Sequence, residues 1–300
     1  MRRVSINILD HPRQGRDAGQ YAGQNAGQHL LILPRPFEDW ISGCTGIRVE
    51  GVSSVHEVQA LNSHQRAWLA WVPEGSLPTL SYDFVQLRER DPADGFWDLP
   101  DNRYTRASAE LAALAQATCE GCASESEAVR RLVTQASELF GYEHPEERFN
   151  AGHDAVPTLC GTTKGSCVDI NTYLLAGARS LGIGVQYIAG YWFGPGRDTT
   201  ADMHCWLAFH CDGEPLFWDL AHHLKWGVDG LAPGLNPAGG RRVPMSHGRG
   251  LRFATPRGVV EISHFSEPLW VLDNADTHKP ALTIRLDEAD HGDLNHDRVA

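Results

Sequence analysis

The chain has no uninterrupted apolar run near the roughly 20 residues that a membrane-spanning helix needs, which argues against a helical membrane protein. It has little positive charge: 26 Lys and Arg against 38 Asp and Glu leave a formal net charge of -12. A general nucleic-acid surface is therefore not expected. Basic substrates and amine donors stay open. The seven cysteines are odd in number and scattered, which fits reduced thiols better than a disulfide framework. Cys119-Glu120-Gly121-Cys122 has no second Cys-x-x-Cys to complete a zinc site. Ser166 lacks the Gly-x-Ser-x-Gly elbow of a serine nucleophile. The start, Met1-Arg2-Arg3-Val4-Ser5-Ile6-Asn7-Ile8, has no apolar stretch of leader length. These absences make a cytoplasmic protein the expectation, with no membrane partner, no nucleic-acid partner, no metal and no cofactor.

Three hundred residues suit two domains. Residues 4–8 read as a strand. A four-residue repeat follows, from Ala18-Gly19-Gln20-Tyr21 to Ala26-Gly27-Gln28-His29. A glycine in every unit weakens a helix, so a flexible loop is expected. From Leu30 to about Arg90 short alternating runs are punctuated by Gly, Pro, Ser and Asn. That pattern predicts a small β-sandwich as an N-terminal domain over 1–95. After a linker the period changes to helical. Ser108–Thr118 reads as one helix, and Ser124-x-x-Glu127 is a capping box that opens a second. A catalytic domain is expected over 105–272 and a polar tail over 273–300. The whole reads as α+β.

The chemistry is concentrated in three segments. Gly165-Ser166-Cys167 opens an apolar helix that stops at Gly182. Met203-His204-Cys205-Trp206 and Phe217-Trp218-Asp219-Leu220 lie in strand-like runs, 203–211 and 215–221, joined at Asp212-Gly213. A two-residue turn there pairs residues whose numbers sum to 425, so Trp206 faces Asp219. His204, Trp206 and Asp219 then share one face, with His204 and Asp219 as diagonal neighbours roughly 7–8 Å apart at the backbone. The helix start should pack over that face. Cys167 would be the thiolate nucleophile, His204 its ion-pair partner and proton donor, and Asp219 the orienting carboxylate. The backbone N–H of Cys167 is a natural oxyanion donor.

The set Gly165-Ser166-Cys167-Val168-Asp169, Leu174 to Ile183, Gly190-Tyr191, His204-Cys205-Trp206 and Trp218-Asp219-Leu220 resembles the transglutaminase-like superfamily, most of all its bacterial cysteine-protease branch. The resemblance covers roughly residues 105–225. It implies a papain-like core, a Cys helix packed on an antiparallel sheet, preceded by the β-sandwich. It also gives Cys167, His204 and Asp219 the triad roles argued above. Tyr142 sits where relatives carry an aromatic residue upstream of the Cys, which suggests a further oxyanion or structural role. Where relatives continue with Pro-Ala-Arg, this chain has Gly184-Val185-Gln186.

Trp206 and Trp192 are expected to line the cleft, with Trp192-Phe193 preceding a Gly194-Pro195-Gly196 turn. His204, Cys205, His210, Cys211, His222 and His223 could ligate metal, but strand alternation points them to both faces. The expected activity is attack on a peptide or protein amide through an acyl-enzyme. Hydrolysis is favoured over transfer to an amine, with a non-catalytic binding module on the same fold as the alternative. The sequence leaves the oligomeric state open.

Overall fold

The computed structural model describes residues 1–12, 27–37, 42–86, 95–201 and 203–288. Most of the glycine-glutamine repeat and the start of the expected linker lie outside the described residues. The chain opens with six strands: β1 (Arg2–Ile8), β2 (Gln28–Pro34), β3 (Ser42–Glu50), β4 (Ser54–Gln59), β5 (Arg66–Pro73) and β6 (Thr79–Gln86). The middle contains α1 (Ala109–Thr118), α2 (Glu125–Leu139), β7 (Phe140–Tyr142), β8 (Thr163–Gly165), α3 (Cys167–Ser180), β9 (Gly184–Phe193), β10 (Thr199–Thr200), β11 (Met203–Cys211), β12 (Glu214–Trp218) and α4 (Leu220–Trp226). The last part adds β13 (Arg241–His247), β14 (Leu251–Thr255), β15 (Gly258–Ile262), β16 (Leu269–Val271), β17 (Thr277–His278) and β18 (Leu282–Glu288).

The expected sandwich is present, but both ends of the chain build it. One sheet runs β10-β18-β1-β6-β3 and the other β17-β16-β2-β5-β4. Their inner faces share one core that includes Val4, Ile6, Leu31, Leu33, Tyr82, Phe84, Trp270 and Ile284. Residues 282–288, read from sequence as part of a polar tail, pair with β1 from Arg2↔Glu288 to Ile8↔Leu282. Ile284 and Leu286 point inward between outward-facing polar residues, so the strand is half-buried and its composition looks like a tail.

The catalytic sheet runs β12-β11-β9-β13. Its hairpin has the expected register, from Leu207↔Trp218 to Cys211↔Glu214. Asp212 and Gly213 both have positive φ, 55° and 88°, the geometry of a two-residue type I′ turn. The Asp212 carboxylate also accepts from the Glu125 and Ser126 amides at 3.2 and 3.3 Å, docking the hairpin tip on the start of α2. At α2 itself, Ser124 accepts from the Glu127 amide, while the Glu127 carboxylate reaches the Ala123 amide.

Helix α3 packs against the Cys205, Leu207 and Phe209 side of β11. His204, Trp206 and Ala208 face the other way, and Trp206 and Ala208 pack against Ile188 and Phe96. The body of the helix therefore lies behind the strand, and only its start reaches the His204 face. Its first residue, Cys167, reaches side chains of both His204 and Cys205.

Candidate active site

The start of α3 is fixed by a complete capping box. Ser166 accepts from the Val168 amide at 3.2 Å, and Asp169 accepts from the Ser166 amide at 2.9 Å. Arg148 bonds both Ser166 and Asp169, the latter at 2.6 Å. The capping box leaves the Cys167 N–H outside it, at the positive end of the helix dipole. Cys167 is only 4% exposed.

Asp219 lies one residue beyond the end of β12 rather than within a strand running to 221. It is the N-cap of α4, its Oδ1 accepting from the His222 amide at 3.1 Å. Its other oxygen, Oδ2, lies 3.0 Å from His204 Nε2. Asp219 is fully buried and His204 5% exposed. Since Nε2 is committed to Asp219, Nδ1 is the ring atom left for Cys167, with which His204 also interacts. The structure thus brings the Cys167, His204 and Asp219 side chains together in the expected order.

Sequence reasoning missed two members of this cluster. Arg242, on β13, donates from Nη2 to Asp219 Oδ2. Its Nε donates to Asn236 Oδ1 at 2.8 Å, and its guanidinium lies 5.0 Å from the Trp206 ring centre. His222, on α4, stacks on His204 with ring centres 3.8 Å apart and planes at 15°. Its Nδ1 is 3.1 Å from Asp219 Oδ2 and 3.2 Å from Arg242 Nη2. A guanidinium only donates, so this Nδ1 accepts and the His222 proton sits on Nε2. The His222–Asp219 approach is therefore a contact rather than an ion pair. Arg242 had no motif to announce it, and the adjacent His222-His223 pair was considered only as a metal signal.

The charges follow from these contacts. Burial would push the Asp219 carboxyl up, but His204 and Arg242 hold it well below the usual carboxylate range. Burial opposes a charged His204, yet Asp219 wins and raises its pKa. His222 is pushed down to about 2 by burial and by His204. Contact with Cys205 and burial raise the Cys167 thiol, and His204 opposes them. Cys205 stays below the usual thiol range despite burial, because Cys167, Tyr187 and Asn171 interact with its sulfur. Asn171 Nδ2 lies 3.4 Å from that sulfur, one helical turn beyond Cys167.

The other sequence candidates fall around this cluster. Trp206 is buried beneath Arg242. Trp192 packs edge-on against His222 at 4.6 Å and donates from Nε1 to the Gly239 carbonyl at 3.0 Å. Tyr142 pairs with Gly165 across the β7–β8 ladder, with its hydroxyl 3.2 Å from His144 Nε2 and its ring under Lys225. Cys119 and Cys122 form the turn between α1 and α2. Among the metal-capable residues, His204, Asp219 and His222 hold ligand atoms within 4.8 Å of one another. The Arg242 guanidinium occupies the carboxylate oxygen that a cation would need.

Residues 112–218 match the family model of the transglutaminase-like superfamily. The chain carries a transglutaminase-like core. The match runs from α1 to the end of β12, so it includes Cys167 and His204 and stops one residue short of Asp219. No curated protein matches the chain. Among solved structures, the chain is similar to a proposed cysteine protease from Cytophaga hutchinsonii, with 15% identity over 95% of this chain and 97% of that one and a TM-score of 0.49. It is also similar to the periplasmic domain of TgpA from Pseudomonas aeruginosa, with 15% identity, 75% and 88% coverage and a TM-score of 0.38. A proposed protease from Parabacteroides distasonis gives 12% identity, 64% and 40% coverage and a TM-score of 0.30. Arg242 and His222 lie beyond the matched segment of the transglutaminase-like core.

Proposed function

We propose that the chain is a cysteine-dependent amide-bond enzyme that acts through an acyl-enzyme on Cys167. The observation that carries this reading is the ordered contact of Cys167 with His204 and of His204 Nε2 with Asp219 at 3.0 Å. His204 is the general base: with its basicity raised by Asp219, it takes the Cys167 proton on Nδ1 as the sulfur attacks the carbonyl. The tetrahedral oxyanion accepts from the Cys167 N–H, with Tyr142, opposite Gly165, in a further oxyanion or a structural role. The C–N bond then breaks as His204 returns the proton to the leaving amine, leaving a thioester. Water, activated by His204, releases the acid and the free thiol.

Hydrolysis is the reading favoured here, and transfer to an amine shares its first half. The substrate is a peptide or protein amide, and no cofactor takes part. Hydrolysis of a peptide anilide by wild type, with at least a 10³-fold loss in Cys167→Ala and His204→Ala, is the expected result. An added amine that diverts product without changing anilide release would convert the reading to an acyltransferase. A Cys167→Ala protein as active as wild type would leave only a binding module.

A further inference from the structure

The site holds a buried guanidinium that the triad chemistry does not use. Charge counting shows what it does. Cys167 and His204 share one proton, and whichever holds it their charges sum to zero, so the buried charges left over are the Asp219 carboxylate and Arg242. They cancel. During attack the proton moves from Cys167 to His204 while negative charge moves to the substrate oxygen, and the site stays neutral. Without Arg242, Asp219 would be an uncompensated buried anion against the imidazole, and a solvent proton on His204 would relieve it. A protonated His204 cannot act as a base.

We propose that Arg242 is a positioning residue that balances and orients Asp219, so that His204 takes no proton beyond the one it shares with Cys167 and is aimed at that thiol when substrate arrives. This rests on the thiol-enzyme reading above and assigns a role within it. The geometry is specific. Arg242 is itself buried, and its Nε is anchored at 2.8 Å on Asn236 Oδ1. Its Nη2 serves both Asp219 Oδ2 and His222 Nδ1. Asn236 has a left-handed backbone, φ 62°, which turns its side chain towards Arg242 from the loop before β13. His222, neutral and stacked at 3.8 Å, keeps the His204 ring plane fixed.

The groups that face His204 come from every element around it. They are Cys167 on α3, Asp219 at the start of α4, His222 on α4 and Arg242 on β13, while Lys225 acts on His222 and Cys205 on Cys167. Among the described residues, only Arg242 both contacts Asp219 and carries a fixed positive charge.

The test is the His204 titration midpoint, read by NMR of its ring protons in a Cys167→Ala background and assigned by His204→Gln. Arg242→Gln should raise the midpoint by about one pH unit, a tenfold change in proton affinity. The acidic limb of hydrolysis in the Cys167 protein should move up with it. Arg242→Lys keeps the charge and should hold the midpoint within ~0.3 unit of wild type. A residue that only packs would lower stability in both variants and move neither midpoint. If Arg242→Gln does not fold, Asn236→Gly, which suits the left-handed backbone and frees the Nε anchor, should lower kcat several-fold with KM unchanged. A folded Arg242→Gln with an unmoved midpoint, or an Asn236→Gly of unchanged kcat, overturns the proposal. Because the midpoint is read without activity, the two claims fail separately. A shifted midpoint with no Cys167-dependent hydrolysis refutes the enzyme reading alone.

Discussion

At the scale of single residues, two thiols meet behind the start of α3, and different neighbours tune each one. Cys205 pushes Cys167 up more than any other group, and His204 opposes it. Cys205→Ala should therefore lower the Cys167 pKa and speed its alkylation by iodoacetamide at pH 7 about tenfold, since one pH unit is a factor of ten. Site-resolved mass spectrometry measures this, and an unchanged or slower rate would show that Cys205 does not restrain the nucleophile. Cys167, His204 and Asp219 were legible in the sequence because chain order, a helix start and strand parity all constrain them. Arg242 was not legible. It stands 23 residues beyond its partner Asp219, after a loop rich in Gly and Pro. Nothing local ties it to a carboxylate. His222 was hidden differently: it belongs to a helix of 7 residues, too short for periodicity to show.

At the scale of elements, the β11–β12 hairpin was readable to the residue because Asp212-Gly213 fixes both turn type and register. Strand β13 was not, since its residues from Arg242 to His247 are all buried and show no alternation. What brings β13 to the site is Gly190, which pairs with His204 on one side and Pro244 on the other. A Cβ at Gly190 would sit 2.1 Å from the Val243 carbonyl oxygen. Gly190→Ala must push β13 away from β9, and with it Arg242 from Asp219. The expected loss is about 3 kcal/mol, the upper end for overpacking, because the clash is with backbone. Urea unfolding measures it, and a stability within about 0.5 kcal/mol of wild type would mean that β13 can shift at little cost.

At the scale of the molecule, the sandwich and the catalytic sheet are one packed body. Tyr191 and Phe193 of β9 and Val243 and Met245 of β13 fill the same core as the strands from both chain ends. A sequence-based division at residue 95 could not anticipate this, because the pairing of β1 with β18 spans nearly the whole chain. The fold also buries neutral histidines, which makes it acid-sensitive. His222 is pushed down to about 2 and His247 to about 4, each chiefly by burial. Both folded values are depressed, so the unfolded chain binds more protons below about pH 6.5. Their contribution is fully present above that value and declines as pH falls towards 4, by up to ~1.4 kcal/mol per pH unit for each group. His204 runs the other way: its raised folded value adds stability that is complete below about 6.5 and lost at higher pH. Asp219 is lowered, so its contribution is lost only below the ordinary carboxylate range. Urea midpoints should therefore fall between pH 7 and 5, and a flat profile would mean that these imidazoles are protonated in the fold.

The central claim is that one thiol of the seven carries the chemistry and that His204 activates it. The most direct measurement is site-resolved mass spectrometry of protein quenched in acid after brief exposure to an activated acyl ester. The account predicts a single acyl group on Cys167, released by hydroxylamine and absent in His204→Ala. Acylation shared with the exposed Cys160, or unchanged in His204→Ala, would contradict it.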